Sequence, residues 1–176
     1  MHDATQDSMQ EYFHALADHM QSLTHAGEIT TAWLAAETSD FVRFNKSAVR
    51  QAMNIRQIAL TLALIAGDRR IEVRSTLAGR LADDRATLAA LLAQLRDDLP
   101  QVPVDPYLMI AREVQSGSQI APNALPDPQQ VIECVLAAGR GRDLVGFYAG
   151  GPVMRGFANS LGQRNWHESA SFELGW

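Results

Sequence analysis

The 176-residue chain has one cysteine, Cys134, one lysine, Lys46, and only 7% aromatic residues. A single thiol excludes an internal disulfide, and its place on the apolar side of a predicted helix reads as a small buried hydrophobe rather than a nucleophile. The basic residues are 14 arginines and that lysine, against 20 acids, for a net charge of −5. Arg69-Arg70 and the trio Arg140, Arg142 and Arg155 are too sparse to neutralise a run of phosphates, so no nucleic-acid partner is expected. No N-terminal stretch has the basic start and apolar run of a secretory signal. No apolar segment reaches the roughly 18 residues of a membrane helix either, so no membrane partner is expected and the compartment reads as the cytoplasm.

What is present is an ordinary globular composition, 47% hydrophobic and 20% charged, in a chain of the size of one domain that can bury a core. His167-Glu168 has the look of a zinc-protease start. However, His-Glu-x-x-His needs a second imidazole one helical turn on, and Ser171 stands there, with Phe172 in the slot of the one-residue-longer variant. From Trp166 onward every second residue, Trp166, Ala170, Phe172, Leu174 and Trp176, is apolar with only Glu168 breaking the alternation, which predicts a half-buried strand whose neighbouring side chains diverge. Of His14, Asp18, His19 and His25 on the first helix, only His14 and Asp18 have the i, i+4 spacing that lets two side chains meet, and two ligands do not close a coordination shell. Gly139, Gly141, Gly146, Gly150 and Gly151 lack the spacing of a nucleotide-binding loop.

Ser8 to Glu11 reads as a capping box opening an amphipathic helix through Leu23 to Gly27. Strands are predicted over Ile29–Glu37 and Asp40–Phe44, with turns at Thr38-Ser39 and Asn45-Lys46. A hairpin follows, with Ile58, Leu60, Leu62 and Leu64 alternating before Gly67-Asp68, and Ile71, Val73, Ser75 and Leu77 after it. Asp83 or Asp84 caps a second helix that ends before Pro100. Residues 100–128 hold six of the seven prolines and read as a long connection with a short helical turn around Tyr107–Val114. Asp127-Pro128 opens a third helix that stops at Gly139. Strands over Leu144–Ala149 and Val153–Asn159 and a turn near Leu161-Gly162 complete an α+β layout of residues 1–176: a mostly antiparallel sheet with about three helices packed on one face.

Several segments together resemble the N-terminal half of the TldD/PmbA family, also called modulators of DNA gyrase or peptide-maturation proteases. They are Asp40-Phe-Val-Arg-Phe-Asn45 with Val49-Arg50-Gln51, the Leu60-to-Arg70 strand with its Gly67-Asp68-Arg69-Arg70 turn, Asp105-Pro106-Tyr107, and Gly156-Phe-Ala-Asn-Ser-Leu-Gly162. The similarity runs over about residues 30–176, and the Asn159-Ser160-x-Gly162 turn is its most specific piece.

The resemblance implies a metal-dependent peptidase system of two homologous subunits. Its metal is held by a His-Glu-x-x-x-His helix and a distant cysteine, C-terminal to the region matched here. No catalytic or metal-binding residue is therefore expected in this chain, and zinc only if a longer parent protein carries that motif. The expected role is a substrate-cleft and dimer-forming domain, with an extended peptide as substrate and a homologous subunit as partner. The alternative is a non-catalytic partner or scaffold. Asn159, Ser160, Gly162 and Arg164 are the candidate cleft or turn residues. The chain reads as the N-terminal part of a longer protein or as a truncated gene product. The aromatics Tyr148, Phe157, Trp166, Phe172 and Trp176, crowded into its end, lead to an expectation of self-association.

Overall fold

The computed structural model describes residues 8–176. Helix α1 (Met9–Leu23) opens on the expected capping box: Ser8 Oγ accepts from Glu11 N at 3.2 Å and Ser8 N donates to Glu11 Oε2 at 2.8 Å. Strands β1 (Glu28–Asn45) and β2 (Ala48–Ala66) meet at a two-residue turn, Lys46-Ser47, one position later than the spacing suggests. Both turn residues have positive φ, 51° and 54°, the backbone that matches the twist of a tight hairpin but that a Cβ disfavours. Strand β3 (Arg69–Thr76) returns antiparallel through Gly67-Asp68, with Leu62 opposite Val73 and Leu64 opposite Ile71.

Helix α2 (Leu81–Asp98) starts before the aspartates assigned to cap it. Arg80 stands at the cap position without a side-chain bond. Asp84, buried inside the first turn, reaches back instead, accepting from Ala78 N and Arg80 N at 2.8 and 2.9 Å and from the Tyr12 hydroxyl at 2.8 Å. A carboxylate so placed serves orphan donors and the positive end of the helix together. A single 3-10 turn, Leu99–Gln101, carries Pro100 out of the helix.

In the connection that follows, Tyr107–Val114 forms no helical turn, and a short strand not foreseen, β4 (Gly117–Ile120), appears. Helix α3 (Pro128–Ala138) has Asp127 as its cap, accepting from Gln129 N and Gln130 N. Strands β5 (Gly146–Asn159) and β6 (Arg164–Gly175) finish the chain. The strands hydrogen-bond in the order β3-β2-β1-β5-β6-β4, so among the described residues three helices accompany one six-stranded, mostly antiparallel sheet, the α+β class expected.

Two strand breaks expected from turn-forming residues are absent: β1 passes through Thr38-Ser39 and β5 through Gly150-Gly151-Pro152. Close packing explains the second case. A Cβ on Gly151 would lie 1.9 Å from the carbonyl oxygen of Thr38, so the glycine serves close strand approach rather than a turn.

The chain forms two compact units. The first comprises the described chain through Ala35, Ile58–Gln119 and Met154–His167. Its core joins Phe13, Leu16 and Met20 of α1, Leu34, Leu60, Leu62 and Leu64 of the sheet, Leu88, Leu92 and Leu95 of α2, and Trp166. The second comprises Ala36–Gln57, Ile120–Val153 and Glu168–Trp176, with Val42, Phe44 and Tyr148 as its buried cluster.

Candidate functional site

The four residues singled out in sequence lie together in the first unit as a closed turn. Asn159, 5% exposed, accepts at Oδ1 from Leu161 N and Gln163 N, both at 3.0 Å. Ser160 pairs with Thr30 twice, donating from N to Thr30 O at 2.9 Å and accepting at Oγ from Thr30 N at 3.1 Å. Gly162 takes φ +102°, a conformation open to glycine at little cost. Arg164 donates to the carbonyls of Asn159 and Gln163 and to Asp18 and Gln21 of α1. Each of these polar side chains is engaged within the fold, and the geometry is that of a strand connection.

The remaining sequence candidates are dispersed. His167 is exposed and Glu168 half-buried on a strand that points them apart. Asp18 bonds Arg164 rather than His14, whose buried Nε2 has no partner among the described residues. Cys134, expected to be buried, is exposed, because no residue of α3 is fully buried. Among the described residues no group of three or more His, Cys, Asp or Glu is placed to hold a metal ion.

A concave surface, a groove of about 580 Å³, lies in the second unit. Asp127 fixes the start of α3, and Val131, Ile132, Val135 and Leu136 lean on Val42, Phe44 and Tyr148 while staying half-buried. Val135 and Ala138 form one wall, and Phe44, Leu144, Leu174 and Trp176 the rest. Arg142 and Asp143 are the only charged lining residues. The Lys46-Ser47 turn holds the segment after α3 in place: Ser47 Oγ donates to Arg142 O at 2.5 Å and accepts from Leu144 N at 3.2 Å. The groove can take apolar groups, with one cation and one anion at hand.

Tyr148 lies beneath α3, and its phenol pKa is raised, first by burial and then by the Asp40 carboxylate. A shallower hollow of about 380 Å³ in the first unit is lined by Trp33, Phe157, Arg155, Asn165 and His167 among others. Trp33 and Phe157 face each other there with ring centroids 6.5 Å apart.

Of the crowded C-terminal aromatics, Tyr148 and Trp166 belong to the core, whereas Phe172 and Trp176 are 57% and 84% exposed. The groove was not visible in sequence, since Val131, Ile132, Val135 and Leu136 mark an apolar side of α3 without saying how deeply it sinks. The one sequence signal was the excess of apolar residues on so short a helix.

No protein-family model matches the sequence, and no curated protein matches it significantly. Solved structures do match its fold. TldE from Thermococcus kodakarensis superposes with a TM-score of 0.70 at 12% identity, over 93% of this chain and 38% of its own. A candidate modulator of DNA gyrase from Bacteroides thetaiotaomicron gives 0.65 at 17% identity, over 96% and 40%. Another from Thermotoga maritima gives 0.59 at 10%, over 92% and 38%. The chain thus spans about two fifths of the length of the structures it matches, and its fold is the one they share with TldE.

Proposed function

We propose that this chain is the substrate-cleft and subunit-pairing domain of a TldD/PmbA-like metallopeptidase system and supplies no catalytic group itself. The observation that carries this is the match to TldE over 93% of the chain, supported by the sequence resemblance around Asp40–Asn45 and Asn159–Gly162. The apolar groove beside α3 offers a place for the side chains of an extended peptide, and amide hydrolysis would fall to a zinc-bound water held elsewhere in the system. The exposed Phe172 and Trp176 favour a second use of the chain, as a non-catalytic scaffold whose apolar surface meets a partner subunit.

The test is mass spectrometry of unstructured peptides incubated with the purified chain and equimolar zinc. The expected result is intact peptide. Cleavage that a chelator stops and His167→Ala abolishes would show that the chain carries its own metal chemistry and overturn the assignment.

A further inference from the structure

Strand β3 is the terminal strand of the sheet. Its side chains alternate: Ile71, Val73 and Ser75 are half-buried, and Arg70, Glu72, Arg74 and Thr76 are exposed. The two-residue Gly67-Asp68 turn makes Ala66 and Arg69 a hydrogen-bonded pair, and such pairs recur at every second position of an antiparallel ladder. Ile71, Val73 and Ser75 therefore bond Leu64, Leu62 and Leu60. The backbone N–H and C=O of Arg70, Glu72, Arg74 and Thr76 point away from β2. Among the described residues no other backbone group meets them. An unpaired row of this kind accepts a further strand.

The charges on the row say which strand fits. Glu72 forms an ion pair with Arg70, and Arg74 has no ion-pair partner among the described residues. If a second β3 runs antiparallel about a two-fold axis at Val73, Glu72 of each copy faces Arg74 of the other, and Arg70 faces Thr76. The residues so opposed are the ones whose backbone groups point outward, so the hydrogen-bond pattern and the charge pattern agree in this register over the length of β3. Axes at Glu72 or Arg74 would set like charges opposite each other, which destabilises a pair. An axis at Ile71 would shorten the overlap and bring the Gly67-Asp68 turn into the contact.

We infer that β3 is a self-complementary edge through which two copies of this chain join their sheets, with Glu72 and Arg74 setting the register. The inference rests on the proposed function only for the expectation that subunits pair, and it names the surface. Alternating charge could instead serve to keep an edge unpaired, and a charge exchange separates the two roles.

The experiment is sedimentation velocity of the full chain over a range of concentrations, for wild type, Glu72→Arg, Arg74→Glu, the double variant, and an equimolar mixture of the two single variants. Circular dichroism of each confirms folding, and both sites are exposed. The expected result is a concentration-dependent wild-type dimer. Each single variant should raise its dissociation constant at least about tenfold, and the double variant and the mixture should restore dimer, since both again oppose unlike charges.

A dimer that neither single variant weakens would overturn this interface while leaving subunit pairing intact. Weakened single variants that do not recover on mixing would also overturn it. A wild-type chain that is monomeric up to about 1 mM would overturn the edge and the pairing half of the proposed function together, leaving the cleft half standing.

Discussion

Glu28 and Arg96 tie the start of β1 to α2. Arg96 Nε and Nη2 donate to Glu28 Oε1 and Oε2, each at 2.8 Å, and Nη2 also reaches Leu23 O at the end of α1 at 2.6 Å. The two side chains are 12% and 23% exposed, so a bidentate pair here is worth more than one at the surface. The Arg96 hydrogen bond, opposed by burial and aided by the bond from His25 N, lowers the Glu28 pKa from 4.5, and Arg96 is raised in turn. The unfolded chain then takes up the Glu28 proton more readily than the folded one. The stabilisation from the pair is complete above the unfolded value and is lost as pH falls through the lower folded value. Arg96→Ala should cost about 1–3 kcal/mol at neutral pH and flatten the loss of stability on acidification. Urea unfolding of both proteins at a series of pH values measures this, and equal pH slopes would contradict the role given to the pair.

At the scale of elements, the parts legible in sequence were those fixed by local chemistry. The Ser8 capping box, the Asp127 cap and the Gly67-Asp68 hairpin each follow from side chain–backbone bonds or a turn conformation within a few residues. The errors came where tertiary packing overrides a local preference. Thr38-Ser39 and Gly150-Gly151-Pro152 carry turn composition, yet both lie within continuous strands. The first half of β2, from Ala48 to Arg56, is mostly exposed and has no alternation to reveal it. Asp84 was seen as a cap, but its long-range bond to Tyr12, 72 residues away, could not be. The turn at Asn159–Gly162 was legible as a turn, whereas the groove beside α3 was not, because its walls come from β1, α3 and β6. Gly151→Ala tests the packing explanation directly. With Thr38 O at 1.9 Å from the added carbon, it should destabilise the second unit by about 1–3 kcal/mol, read as a lower melting temperature. An unchanged melting temperature would mean that β1 and β5 separate there at little cost.

At the scale of the whole molecule, the chain offers an apolar groove and a charged sheet edge, and no helix among the described residues is long and apolar enough to cross a membrane. A groove with two charged residues in its lining suits a peptide whose apolar side chains are exposed because the peptide is extended. Val135, on the wall formed by α3 and only half-buried, can be made charged without removing a core residue. The central claim, that this chain holds an extended peptide, is tested most directly by the fluorescence anisotropy of a labelled, unstructured apolar peptide titrated with the chain and with Val135→Arg. The account predicts saturable binding that the substitution weakens at least about tenfold; no saturable binding up to about 1 mM, or binding that Val135→Arg leaves unchanged, would contradict it.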